Sequence, residues 1–387
     1  MFFRGAVLLI TILTLFSVPA LAAEDSDDQV MRLARVVDTR EIERLLEGLQ
    51  VEGDEFLPEL SVETVLDLIR GRGELSLREL LVGLARYLIR DILSHARLLG
   101  QLVVLTVVGA VLWNLQSAFA GDSVGLLAHG VVYLLLVALA VGSFTYAVKL
   151  ATGVVADLVS FMLALLPVLL TLLAAMGGVA SAGLFHPMMV IVIDLVSVLV
   201  VDVVIPVLFL AVVLELVTGF SPNFQVSKLA VLLRQGAIVV LGLSLSLFLG
   251  IMTVLGAAGA VADGVTLRTA KFVAATFVPV VGKMFADAAD VVFGSSLVLK
   301  NALGVLGALG IMVVVAFPLL KILSLVVIYR LAAAVVQPIA SGQVVGCLTS
   351  LGDYLLLLFV AVLTVALMFF VGMAVIVGAG NVMVMLR

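Results

Sequence analysis

Residues 235–262 run for 28 positions without one ionisable side chain. A helix needs about 20 apolar residues to cross the hydrocarbon core of a bilayer, and a surface helix of a soluble protein would carry a charged face over that length. Such a run demands lipid or complete burial. It is not alone: 98–121, 123–148, 158–176 and 354–386 are equally free of charge apart from neutral His129. Over 387 residues the chain is 64% hydrophobic and 12% charged, where soluble domains are about half apolar and about a quarter charged. The expected fold class is therefore all-α, a polytopic helical membrane protein, with about seven spans.

Charge is confined rather than spread. Residues 24–97 hold 17 acidic and 10 basic side chains, 27 of the 47 in the chain. Ahead of them Arg4, the apolar stretch 5–16, Pro19 and Ala20-Leu21-Ala22 form a secretory signal pattern over 1–22. Cleavage near Ala22 is expected, with an uncleaved anchor as the alternative. Either way 23–97 is expected outside the cytoplasm as a charged helical region, and 98–387 as the membrane domain. Apolar residues at helical spacing fill 29–50, a second helix follows around 61–71, and Ser76 with Glu79 has the spacing of a capping box before a helix that runs straight toward the first span.

Farther on, 187–218 is apolar but contains Asp194, Asp202 and Glu215 with Pro206, and reads as one kinked span or two short elements. Residues 331–348 are short and hold Gln337-Pro338, so they need not cross. His186 before Pro187 marks a helix start. Between 262 and 300 the chain places Asp263, Arg268, Lys271, Lys283, Asp287, Asp290 and Lys300 around Pro279. Asp263 before Gly264 suits a turn or an N-cap, Arg268 and Lys271 share a helix face, and so do Lys283 and Asp287. Pro279 acts as a hinge between two short amphipathic helices. Either these lie at the membrane surface, or they form a re-entrant hairpin whose charges line a polar path or dock a partner. Counting spans from the signal puts this stretch, with its four cations, on the cytoplasmic side.

Catalytic sets are missing from the sequence. Three histidines lie on separate elements, Cys347 is the single cysteine, and neither a phosphate-binding loop nor a nucleophile elbow occurs. No metal, cofactor or nucleic-acid site is expected. Cys347 fits a small packing residue. Asp194 and Asp202 lie eight residues apart on one side of a helix, and a charge at mid-bilayer costs about 2.5–3.5 kcal/mol. These acids either sit near an interface, pair with a neighbour's cation, or line a pore. Glycines and alanines cluster at 177–183, 250–260 and 304–310, where they allow close helix approach or a broken backbone beside a cavity.

"VADGVTLRTAKF", "FVPVVGKMFADAAD" and "SLVLKNALGVLG" resemble the stage III sporulation protein AE family, as do "GGVASAGLFHP" and "AFPLLKILSLVVIYRLAAAVVQP". The similarity runs from about residue 60 to the C-terminus. It implies an integral subunit of a secretion-like channel between mother cell and forespore, placed in the mother-cell-derived membrane around the forespore and needed for late forespore development. Implied partners are the bilayer, the other stage III A-operon proteins, a forespore channel component and further copies of the chain. The family supplies no active-site residues to carry over. An export-gate or platform role follows only by analogy with secretion systems. The competing expectation is an independent secondary transporter with Asp194, Asp202 and the charges of 262–292 as coupling sites.

Overall fold

The computed structural model describes residues 77–118, 122–218, 226–277, 281–340 and 342–385; for 77, 79–80, 113–118, 122–129, 267–268, 270–277, 281–299, 301–302 and 380–385 it describes the backbone alone. The signal pattern and the helices expected over 24–76 lie outside the described residues. All described elements are helical: α1 (Leu77–Ser94), α2 (Ala96–Ala118), α3 (Asp122–Ala175), α4 (Val179–Val198), a π-helical segment (Leu199–Val204), α5 (Ile205–Thr218), α6 (Ser227–Phe277), α7 (Val281–Val336) and α8 (Gly342–Met385). Lipid offers no hydrogen bonds, so helices that satisfy their own backbone are the available answer to this sequence. Hydroxyls inside the apolar runs do the same. Thr106, Thr145, Thr171 and Ser244 each donate to the carbonyl one turn back, at 2.7–2.8 Å. Thr171 thereby uses the carbonyl of Pro167 inside α3.

Five helical stretches are long and apolar enough to cross a membrane: Gly130–Ala175, Val179–Thr218, Ser227–Thr266, Leu303–Val336 and Gly342–Ala379. The pair Leu81–Ser94 and Ala96–Leu112, bent by 46°, makes a sixth if it acts as one broken span. The described residues thus do not reach the expected seven. The candidate spans 123–148 and 158–176 are one helix, α3. Lys149 and Asp157 between them are exposed on its flank, and a charge on an exposed face need not end a helix. A turn at Gln337–Ala340 separates α7 from α8, so 331–348 is no span. Residues 179–218 are a single run through Pro187 and Pro206, starting at Val179 and not at Pro187. Nor does α1 run straight into α2. The Ser94 hydroxyl donates to the Asp91 carbonyl at 2.7 Å, and the His95 ring lies 3.0 Å from the same oxygen.

The expected pair of short helices around Pro279 is also revised. α6 continues to Phe277 and α7 begins at Val281, so the charges of 262–300 decorate the ends of two long helices. The apolar runs on either side sustain the helical period, and the charged residues simply extend it. Pro279 itself lies outside the described residues.

α8 is central and α6 peripheral: 61% of an 18-residue apolar window in Gly342–Ala379 is buried, against 28% of one in Ser227–Thr266. α7 and α8 pack together most extensively, and both pack on α3. Gly304, Gly307 and Gly310 make this possible. A Cβ on Gly304 would lie 2.9 Å from Val377, and Gly310 faces the ring of Phe161 with no room for one. Tyr329 of α7 and Ser143 of α3 are joined by a hydrogen bond. α6 packs against α4, α5 and α8.

Candidate functional site

The break between α3 and α4 is built from two glycines. Gly178 N–H bonds to the Leu173 carbonyl at 3.0 Å and Gly177 N–H to Ala174 at 2.9 Å, the paired bonds of a Schellman C-terminus. Gly177 has φ 92, a left-handed conformation that favours glycine. Gly178 is the N-cap of α4 and has no side chain to offer its free N–H groups. A Cβ there would meet Leu173 at 2.9 Å.

The missing cap comes from another helix. Asp263 of α6 is fully buried, and its Oδ1 accepts from the backbone N–H of Ala180 at 2.9 Å and of Ser181 at 3.1 Å. The first N–H groups of a helix have no partner within it and carry the positive end of its dipole. A carboxylate satisfies both demands. Gly259, one turn before Asp263, lies against Ser181 so closely that no Cβ fits, which brings α6 near enough for the reach. Asp263 Oδ2 and Ser181 Oγ are both buried without a hydrogen-bond partner. Sequence expectation gave Asp263 the right chemistry on the wrong helix: it lies inside α6 and caps α4.

Lys300 stands at the same end of the bundle, since Gly304 one turn on meets Val377 and Gly256 meets Val375 on α8. It is fully buried and its Nζ has no partner. Lying outside the span Leu303–Val336, its ammonium is pushed down by burial to about 8. Arg268 and Lys271 lie on α6, and Lys283, Asp287 and Asp290 on α7; their side chains are outside the described residues.

At the opposite end sits a second polar layer. Tyr133 of α3 donates to the Leu216 carbonyl in the last turn of α5 at 2.9 Å. Glu215 accepts from Ser350 at 3.3 Å, Arg330 bonds Asp353 at 2.9 Å, and Arg234 lies over the Tyr354 ring at 5.6 Å. The run 179–218 is therefore tied at both ends by side chains of other helices. Sequence reasoning passed over Tyr133, Arg330 and Asp353. Only the rarity of charge in these runs could have pointed to the last two.

Asp194 and Asp202 are both exposed and lie near neither layer. Among the described residues no group of three or more His, Cys, Asp or Glu could hold a metal. Cys347 is buried and free.

The family model for stage III sporulation protein AE matches residues 60–380. A relative from Bacillus subtilis (strain 168), named stage III sporulation protein AE, is 40% identical over 365 residues, 94% of this chain and 92% of the relative. No solved structure matches.

Proposed function

Because the chain belongs to the stage III sporulation protein AE family, we propose that it is the integral membrane subunit of a sporulation-specific, secretion-like channel between mother cell and forespore. In that role it is a platform: a fixed helical frame in the mother-cell-derived membrane to which other channel proteins attach. One observation carries this reading. The stretches "GGVASAG" and "VADGV", far apart in sequence and both among the family-like motifs, meet through Asp263 and Gly259. The family-like segments thus coincide with a buried tie between helices, which suits a frame. A transporter that couples through Asp194 and Asp202 would need them to line a path, and both are exposed.

Beyond the tie, the ends of α6 and α7 carry Arg268, Lys271, Lys283, Asp287 and Asp290, and serve to dock a partner at that end of the bundle. Copurification tests this. From membranes of sporulating cells solubilised in mild detergent, the tagged chain is expected to bring down other A-operon proteins. Alanine at Arg268, Lys271 and Lys283 together should release them while the chain still accumulates. Normal recovery with the triple variant rejects the docking face; no A-operon protein with the unaltered chain rejects the channel role.

A further inference from the structure

The bundle is taller than a bilayer. From Tyr133, bonded to Leu216, to Leu173, packed on Gly178, α3 covers about 60 Å at 1.5 Å per residue. The hydrocarbon core is about 30 Å thick. Even a tilt of about 40°, the upper end for membrane helices, leaves roughly 46 Å. Large apolar side chains are exposed along both halves: Val131, Leu134 and Leu229 toward one end, Leu163, Val168 and Val261 toward the other. Whichever half the bilayer takes, the other keeps an apolar flank that protein must cover.

Charge and shape at mid-height say what covers it. Exposed Lys149 on α3 and exposed Asp202 in the π-helical segment have no ion-pair partner among the described residues. Counting about sixteen residues from Tyr133 along α3, and the same from Leu216 back along α5, reaches Lys149 and Val200, so Lys149 and Asp202 are level to within about 3 Å. Tyr146, 44% exposed, is one turn from Lys149, and the exposed Gly142 and Gly153 flank the pair with open space around them. At the height of Tyr146, on the Asp202 side, a groove of about 580 Å³ is lined by Val203, Val207, Leu232, Gly236 and Val239.

We infer that a second copy of this chain occupies the groove: its Tyr146 ridge seats between the π-helical segment and α6, and its Lys149 pairs with Asp202. Copies in a membrane are related by rotation about the bilayer normal, which keeps each residue at its own height. The level match between ridge and groove within one chain is thus a match between neighbours. Ridge and groove are different surfaces, so the contact is head-to-tail and builds a ring or an open row. Asp157 and Asp194, exposed and also level with each other, repel, which centres the contact on the Tyr146–Lys149 half.

Cross-linking in native membranes tests this with the full chain. In a Cys347→Ser background, Lys149→Cys and Asp202→Cys are placed on two differently tagged copies and oxidised. A dimer carrying both tags is expected, and a ladder of higher species when both cysteines are on one chain. Leu163→Cys with Asp202→Cys, about sixteen residues out of level, should not link. Lys149→Asp should abolish self-association measured by native mass, and Lys149→Asp with Asp202→Lys should restore it. Links that form only within one chain, equal linking at position 163, or failure of the charge swap to restore association would each overturn the proposal.

Discussion

Asp263 serves a helix other than its own. Two backbone N–H groups of α4 depend on its Oδ1, and lipid or packed side chains cannot replace it. Asp263→Ala is expected to leave both unpaired at a cost of about 1–3 kcal/mol for each buried group. Asp263→Asn keeps an acceptor oxygen and should cost less, nearer the roughly 1 kcal/mol of an ordinary capping loss. Thermal unfolding in one detergent orders the three proteins: wild type, then Asn, then Ala. Equal midpoints would show that the contact holds nothing. At this scale the sequence was half legible. An acid before glycine announced capping, because that chemistry is local. Which helix it caps was hidden, because the contact spans 83 residues. Gly259 gave no signal beyond its company of small residues. Its meaning lies in Ser181, which faces it from α4.

Helix lengths in this chain are set by apolar continuity more than by charge. Lys149 and Asp157 looked like ends of spans, yet α3 carries them through on an exposed flank. Pro167 and Pro318 sit inside helices where the sequence alone would allow a stop. Pro167 lacks the N–H that would bond the Leu163 carbonyl, while its own carbonyl accepts from the Thr171 hydroxyl. The run from α4 to α5 is held at its far end by Tyr133, whose hydroxyl takes a carbonyl that the last turn leaves open. Tyr133→Phe removes the bond to Leu216 and should cost about 0.5–1.5 kcal/mol. Hydrogen exchange should show the loss as faster exchange in the last turns of α5, with α4 unchanged. Uniform acceleration along 179–218 would mean that the two ends are not anchored separately. Element type was readable because a long apolar run in lipid has no alternative to helix. Element boundaries were not, because they depend on which flank faces the interior.

For the whole molecule, composition settled the class, a helical membrane bundle; among the described residues five helices, or six with the bent pair, are long and apolar enough to cross. Composition could not reveal that α8 is the core and α6 the rim, since both contain long uncharged runs, 235–262 and 354–386. That difference arises from the glycines of α7, which let α7 close on α8. Nor could it show that the polar residues gather in two layers, around Asp263 and around Glu215, with exposed charges between. The frame proposed for the sporulation channel rests on those two layers, and its role is read most directly in the cell. Deleting the gene and counting heat-resistant spores, with microscopy of engulfment and a growth curve in fixed medium, is that measurement. Sporulation should stop after engulfment with vegetative growth unchanged, and the intact gene should restore spores where Asp263→Ala does not. Normal spore numbers in the deletion, or a growth defect before sporulation begins, would contradict the account.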